Sequence, residues 1–219
     1  MNLPFTLDQF LGVFKAYNLA IWPTQVIAYI LGLAMIFLVI KKAKYSNQLI
    51  AGGLALMWLC AGLLYHISYF STINKAAYIF GTVFIIQGLL FIIFGVLKSN
   101  ITFELKANAY SFIGFLFILY AMVIYPILGY LLGHVYPQSP VFGVAPCPVT
   151  IFTFGILLLT DKLPRTTLII PFIWSLFGFS AASTLGIRED IGLIIAGLVG
   201  SVLILYRGHK LDKETTLSR

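Results

Sequence analysis

Charged residues are scarce in this sequence of 219 residues. Only 10% of the chain is Asp, Glu, Lys or Arg, whereas 60% is hydrophobic, and the mean hydropathy is +1.00. A soluble domain carries about a quarter charged residues, so the composition excludes an ordinary soluble globular protein. We therefore predict an all-α integral membrane protein.

Familiar catalytic motifs are also missing. The sequence has no HExxH, no GxSxG and no P-loop. Its two cysteines, Cys60 and Cys147, form no CxxC pair. No lysine falls within a long apolar run, which excludes a retinal Schiff base of the opsin kind. The sequence thus contains no motif that indicates a particular reaction, and we expect no cofactor.

What the sequence does contain is a series of long apolar runs. About 20 apolar residues cross the ~30 Å hydrocarbon core of a bilayer, and we predict seven transmembrane helices. They cover residues 23–40, 49–69, 76–97, 109–132, 141–160, 166–185 and 190–206. The fifth is the weakest, because its uninterrupted part, 149–160, is short. The connections are too short for a soluble domain, so residues 23–206 are expected to form one membrane domain.

Residues 1–22 are predicted to form an amphipathic helix in the membrane interface. Apolar side chains recur at helical spacing from Leu7 to Ile21, and Thr6 with Gln9 fits a capping box. A helix packed on the protein itself is the alternative. The stretch has no basic n-region and no small-residue cleavage site, which argues against a signal peptide.

Positive charges are distributed unevenly around the predicted spans. With seven spans, eleven Lys and Arg residues fall on one side, and only Lys15, Lys75 and Arg188 fall on the other. Positive residues favour the cytoplasmic side, so the N-terminus is predicted outside and residues 207–219 form a basic cytoplasmic tail. The net charge of +7 is then explained by topology, and it also attracts anionic lipid. Nucleic acid is not expected as a partner.

The sequence also shows a weak internal repeat. A shift of 116 residues aligns three identical pairs without a gap: Trp58 with Trp174, Gly62 with Gly178 and Gly81 with Gly197. This pattern suggests a parallel 3+1+3 repeat about a central linker helix, as in some transporters that bind substrate between their halves. Chance among helices that contain tryptophan and glycine is the alternative.

Polar residues within apolar runs are the candidate functional residues, because they are costly in lipid. The predicted substrate-binding residues of a transporter are Trp58, Gln87, Cys147, Trp174 and Asp190. For Gln87 the alternative is a hydrogen bond to a neighbouring helix. For Asp190 the alternative is a purely structural role at the positive N-terminal end of the seventh helix.

A second candidate set is His66, His134 and Cys147, which fall at the outer ends of predicted helices. Two imidazoles and a thiolate suit zinc or copper, so these residues form the candidate metal site. Their spacing carries no metal signature, and solvated or carbonyl-bonded histidines are the alternative. Pro148 is predicted to start a short fifth helix, which places Cys147 where a thiol becomes a better nucleophile. A proline-framed turn around a small thiol is the alternative there.

Four stretches carry a resemblance to a known family: LPFTLDQFLGVFKAYNLAIWPTQ, INKAAYIFGTVFIIQG, FGVAPCPVTIFTFGILLL and WSLFGFSAASTLGIREDIGLIIAG. They resemble successive blocks of a bacterial membrane protein family classed as a domain of unknown function (6064 type), and the Pro-Cys-Pro block is the most specific. The resemblance covers nearly the whole chain. It implies a multi-pass protein of the bacterial inner membrane and carries no activity or catalytic residue.

A looser similarity is to the seven-helix SWEET and PQ-loop transporters. It consists of the 3+1+3 plan, the orientation and the Pro137-Gln138 dipeptide. In those transporters the dipeptide lies inside a repeat helix, whereas here it precedes the fifth span.

Three functional hypotheses follow. The first is a small-molecule or ion transporter whose site opens to the outer face. The second is a metal- or thiol-dependent membrane protein centred on Cys147. The third is a structural or sensory membrane protein without a small-molecule site. The lipid bilayer is an expected partner in all three, an enzyme is the less expected outcome, and the oligomeric state is left open.

Overall fold

The structure is a computed structural model that describes residues 4–217, with side chains for residues 4–209. This part of the chain forms eight helices and a two-stranded antiparallel sheet, which confirms the all-helical prediction. The helices are α1 (Leu7–Ala20), α2 (Thr24–Ile40), α3 (Ser46–Thr72), α4 (Ala77–Leu97), α5 (Ala109–Leu131), α6 (Pro146–Leu157), α7 (Arg165–Leu185) and α8 (Ile191–Leu217). The strands are β1 (Thr102–Phe103) and β2 (Thr160–Lys162).

Five helices are long and apolar enough to cross a membrane: α3, α4, α5, α7 and α8 with its preceding turn. Helices α1 and α2 meet this criterion only together, and they are bent by 84° to each other. Helix α6 is apolar but has only 12 residues. Five or six helices thus meet this criterion, and the seven-span prediction is not confirmed, because α6 has only 12 residues and α2 qualifies only together with α1.

Successive helices run between two ends of the molecule. One end, here called the α1 end, comprises α1 and residues 66–76, 132–148 and 185–190. The other, here called the β end, comprises residues 41–46, 97–109, 157–166 and 206–209. Pairing of β1 with β2 joins the segment after α4 to the segment after α6 at the β end. At the α1 end, the Asn18 amide donates to the carbonyl oxygens of Pro137 and Ser139.

Helix α6 lies in the centre of the bundle. All of its residues are buried except the partly exposed Cys147, and α3, α5, α7 and α8 surround it. Helices α5 and α6 touch through Gly114 and Gly155, where a Cβ on either glycine would lie 2.8 Å from the other's carbonyl oxygen. The helix begins at Pro146, two residues before the predicted start, because proline is tolerated in a first turn.

The predicted capping box of α1 is confirmed. The Gln9 N–H donates to the Thr6 hydroxyl at 3.3 Å, and the Thr6 N–H donates to the Gln9 side chain at 2.9 Å. Phe14 and Tyr17 are buried against the end of α3, and the Tyr17 hydroxyl donates to the Val144 carbonyl at 3.0 Å. Helix α1 therefore packs on the protein itself, which is the alternative to a helix lying free in the interface.

The proposed repeat has partial counterparts in the structure. Gly62 of α3 and Gly81 of α4 allow close helix contact, since a Cβ on either would lie 2.9 Å from the other's carbonyl oxygen. Their counterparts Gly178 and Gly197 also lie in adjacent helices, α7 and α8. However, α2 packs mainly on α3, whereas α6 packs on both α7 and α8. The two helix triplets are thus arranged differently, and the 3+1+3 repeat stays a prediction.

Candidate functional site

A cavity of about 500 Å³ lies at the α1 end. Its wall is formed by α1, the end of α3, the start of α4, the first turn of α6 and the second half of α7. Eight aromatic side chains line it: Phe5, Phe10, Phe14, Tyr65, Phe70, Phe80, Trp174 and Phe177. The walls are thus mainly apolar, and the few polar groups among them determine what the cavity can bind.

Aromatic contacts fix α1 as one wall of the cavity. Phe14 stacks on Tyr65 of α3 with ring centroids 4.8 Å apart. Phe5 meets the edge of Phe70 at 5.3 Å. Such aromatic pairs add stability beyond the area they bury. The N-terminal segment is therefore a part of the site.

Two helices become π-helical where they supply site residues. The segment Ala61–Tyr69 of α3 contains the neighbouring buried residues Tyr65 and His66. The segment Tyr120–Ile124 of α5 precedes Tyr125. Short π-helical segments are rare and often occur at functional sites. Both of them here deliver polar aromatic side chains to the α1 end.

His66 lines the cavity within a cage of aromatic rings. Its ring centroid is 4.8 Å from that of Phe84 and 5.1 Å from that of Trp174. The side chain is fully buried, and neither ring nitrogen has a hydrogen-bond partner among the described residues. A buried polar group without a partner is costly. His66 is therefore a cavity-lining side chain whose hydrogen-bonding capacity is unused among the described residues.

An acidic pair, Glu189 and Asp190, is buried in the turn before α8. The Tyr125 hydroxyl donates to Asp190 Oδ1 at 2.6 Å, and His134 Nδ1 lies 2.6 Å from Glu189 Oε1. The Tyr120 hydroxyl donates to the Glu189 carbonyl at 2.7 Å. Asp190 lines the cavity, whereas Glu189 does not. Helix α5 and the segment after it thus hold the acidic pair in place.

Cys147 and Trp174 complete the polar part of the wall. The Cys147 thiol interacts with the Asp190 carboxyl and with the indole of Trp174. The buried Trp174 Nε1 makes no hydrogen bond to the described residues that meets standard geometry. The first turn of α6, the middle of α7 and the turn before α8 therefore meet at one wall of the cavity.

Three of the five predicted substrate-binding residues line the cavity, namely Cys147, Trp174 and Asp190. The other two, Trp58 and Gln87, do not. The Trp58 indole donates to Thr153 of α6 at 2.9 Å within the packed core.

The Gln87 amide donates to the Thr167 carbonyl at 3.1 Å and ties α4 to the start of α7. This is the alternative role for Gln87, a hydrogen bond to a neighbouring helix. A glutamine in an apolar run looks the same in sequence whether it lines a cavity or joins two helices.

Two of the three predicted metal ligands, His66 and Cys147, line the cavity, whereas His134 does not. His134 is bonded to Glu189, His66 lies among aromatic rings, and Cys147 lies beside Asp190. Across the part of the chain that the structure describes, no three His, Cys, Asp or Glu side chains are grouped so that they could hold a metal ion. The metal hypothesis gains no support from this geometry.

Sequence reasoning missed Tyr125 and did not include Glu189 among the candidate site residues. A tyrosine within an apolar run carries no pattern that indicates a carboxylate partner 65 residues away. An acidic pair before a helix is typical of N-terminal capping. The only sequence signal for a site was that Glu189 and Asp190 fall at the same membrane end as His134.

The chain matches a known protein family over most of its length. A family model described as a family of unknown function, DUF6064, matches residues 7–214. The chain belongs to this family. Membership confirms the resemblance of the four sequence blocks and assigns no activity. No curated protein and no solved structure matches this DUF6064 member. Its function therefore has to be argued from the chemistry of the cavity.

Proposed function

We propose that this DUF6064 protein is a small-molecule transporter and that the cavity at the α1 end is its substrate site. The observation that carries the proposal is the cavity of about 500 Å³ with His66, Trp174 and Asp190 in its wall. Ligand sites of ~300–1,000 Å³ typically combine apolar walls with a few convergent polar groups. The cavity has that size and composition.

The proposed topology has seven crossings, with α6 as the short fifth one. The backbone on both sides of α6 is buried at residues 142–145 and 158–160. Non-helical backbone at membrane depth is tolerated when protein covers it. A helix of 12 residues, extended by these buried flanks, can then connect the two ends of the bundle.

Charge supports placing the α1 end outside. Eight basic residues lie at the β end: Lys41, Lys42, Lys44, Lys98, Lys106, Lys162, Arg165 and Arg207. The α1 end has Lys15, Lys75 and Arg188. The positive-inside rule then places the β end in the cytoplasm and the cavity at the outer face. In a bacterium this membrane is the inner membrane.

Transport requires a second conformation, because α6 fills the interior between the cavity and the β end. In the proposed cycle the helices around α6 rearrange so that the first turn of α6 becomes accessible from the cytoplasm. Cys147 lies in that turn and lines the cavity. Its thiol is therefore a natural reporter for access from either side.

Thiol labelling in vesicles of known orientation tests the proposal without knowledge of the substrate. The Cys60→Ala variant leaves Cys147 as the only thiol. A Cys60→Ala/Cys147→Ser/Ser99→Cys variant reports on the β end, since Ser99 is exposed there. We expect a membrane-impermeant maleimide to label Cys147 quickly from the α1 side and more slowly from the β side. Labelling from the α1 side alone would contradict transport and leave a ligand-binding sensor.

A further inference from the structure

We propose that the cavity binds cationic amphiphiles, with an ammonium head group beside Asp190 and an apolar tail that enters from the membrane between α4 and α7. The inference rests on the proposed function, because it names the substrate class of the same cavity. Charge, hydrogen-bonding capacity and the shape of the opening each support it.

The charge of the site favours a cation. Among the residues that the structure describes, Asp190 is the only acidic residue lining the cavity, and none of the lining residues is Lys or Arg. Glu189 adds a second buried carboxyl next to Asp190. The nearby His134 side chain is bonded to Glu189 and not to Asp190. Arg188 is exposed. Burying a carboxylate without a counter-charge is costly, so a ligand cation at Asp190 is favoured and a ligand anion is disfavoured.

The other polar groups fit an ammonium head. An ammonium group has three N–H donors and no acceptor. The carboxylate of Asp190 accepts one of them, and a neutral His66 ring offers a nitrogen that has no partner among the described residues. Phe80 and Trp174 contribute aromatic rings to the same part of the wall. Their faces attract a cation by cation–π interaction.

The opening lies between α4 and α7. Helix α4 packs on α3 along its length but contacts α7 at few positions. Trp174 closes the deep side of the gap through edge-on contacts with Phe80 at 5.6 Å and Phe84 at 4.9 Å. Towards the α1 end from that level, Phe80 of α4 and Phe177 of α7 line the cavity, and we take the gap between them as its opening.

Exposed apolar side chains lie on both helices near this gap. Phe177 of α7 lines the cavity and is 57% exposed, and Ile79 of α4 is 66% exposed. In the proposed topology these side chains contact lipid tails. A ligand with an apolar tail can therefore enter from the bilayer without passing through water, whereas a small hydrophilic cation has no such route.

Binding of dodecylamine to the full chain in phosphatidylcholine nanodiscs tests the proposal. Trp174 serves as the reporter in a Trp22→Phe/Trp58→Phe variant, which keeps one of the three tryptophans. Dodecanol has the same tail without the charge, and propylamine has the head group without the tail. We expect saturable quenching of Trp174 by dodecylamine and at least tenfold weaker responses to the other two probes.

Asp190→Asn in the same background should weaken dodecylamine binding at least tenfold. Asp161→Asn changes an acidic residue of the β end that lies away from the cavity, so it should leave binding unchanged. Ala181→Phe on the cavity wall should weaken the response at least tenfold, whereas Ser183→Phe on the exposed face of α7 should not, and neither variant adds a second tryptophan. The comparison of the three probes needs none of these variants, so the test survives if one of them fails to fold.

Several outcomes would overturn the proposal. Equal responses to dodecylamine and dodecanol would show a neutral amphiphile site, and an equal response to propylamine would show entry from water. No response to any probe, with Cys147 still labelled from both sides, would reject the substrate class and leave transport standing. A tight dodecylamine response with Cys147 labelled from one side only would reject transport and leave the ligand class standing.

Discussion

The α1 end buries an acidic pair, whereas the acidic residues of the β end are partly exposed beside a lysine. At the α1 end, Glu189 and Asp190 are within the protein and bond to His134 and Tyr125. At the β end, the Lys106 ammonium lies 2.5 Å from Asp161 and 3.3 Å from Glu104, and all three side chains are more than 40% exposed.

The difference shows where charge has large energetic consequences in this molecule. Water can replace a lost partner at the β end, so an exposed pair there contributes only ~0–1 kcal/mol. A buried pair that loses one partner leaves an uncompensated group and costs about 3–5 kcal/mol. The buried acidic pair of the α1 end therefore contributes more to stability than the exposed ion pairs of the β end.

The largest expected effect is that of His134→Ala. The substitution leaves both carboxylate oxygens of Glu189 without a partner, since Oε2 has none among the described residues already. We expect the free energy of unfolding in detergent to fall by about 3 kcal/mol. Lys106→Ala is the matched change at the β end. Similar losses for the two variants would contradict the proposed contrast.

Two glycines test how tightly the α1 end is packed. Gly143 and Gly133 both have positive φ, at 77° and 91°. A Cβ on Gly143 would lie 2.5 Å from the Cβ of Ala28, whereas a Cβ on Gly133 would meet nothing within 4 Å.

Gly133→Ala should cost about 1 kcal/mol through backbone strain alone. Gly143→Ala should cost roughly 1–3 kcal/mol more, because it also overpacks the interior. The midpoints of thermal unfolding measure the difference. Equal midpoints would mean that the loop before α6 shifts to accommodate the added methyl group with little loss of stability.

Tyr125→Phe should have an intermediate effect. It removes the hydroxyl that donates to Asp190 Oδ1 and leaves the buried ring in place. Loss of one donor to a buried acceptor costs about 1–3 kcal/mol. Tyr130→Phe, which removes a hydroxyl from a largely exposed tyrosine on the same helix, is the control. If both variants unfold at the same temperature as the parent, the bond to Asp190 contributes nothing to stability.

The smallest effect is expected for Lys106→Ala at the β end. Hydrogen bonds to Asp161 and Glu104 raise the pKa of Lys106 above its ordinary value of 10.5. A raised pKa stabilises the fold while the amine is protonated, and the contribution is lost as the pH rises through the folded-state pKa.

The free energy of unfolding of Lys106→Ala should therefore be at most ~1 kcal/mol lower than that of the parent at neutral pH, and the loss should be smaller in high salt. This difference in unfolding free energy should shrink above pH 10.5. Unfolding free energies at low and high salt and at several pH values measure it. A difference that grows with pH would show that the lysine is not stabilised by its acidic neighbours.

Much of the architecture was predictable from residue patterns. The composition predicted a helical membrane protein, and the Thr6–Gln9 spacing predicted the capping box, because both depend on local sequence. The long apolar runs predicted α3, α4, α5 and α7 to within a few residues, whereas α8 continues eleven residues beyond its predicted end, to Leu217. Two other helices differ from the first prediction. Helix α6 is shorter than its apolar run, because the flanks of that run are buried as non-helical backbone. Helix α1 packs on α3 and does not lie free in the interface.

The candidate site was only partly predictable. Cys147, Gln87 and Asp190 were selected as polar residues in or beside apolar runs, and Trp58 and Trp174 as a pair in the weak repeat. Cys147, Trp174 and Asp190 line the cavity, whereas Trp58 and Gln87 lie elsewhere, bonded to Thr153 and Thr167. Sequence patterns report the cost of burying a side chain but not which neighbour offsets that cost.

The sequence by itself determined the membrane class, the family, the start of the first helix and the approximate positions of the apolar helices. These features depend on hydrophobicity and on interactions between residues close together in the chain. Only the tertiary structure decided that His66 has no partner, that His134 meets Glu189 from 55 residues away and that α1 closes a cavity. Those contacts join distant segments, and packing around the central helix α6 brings them together.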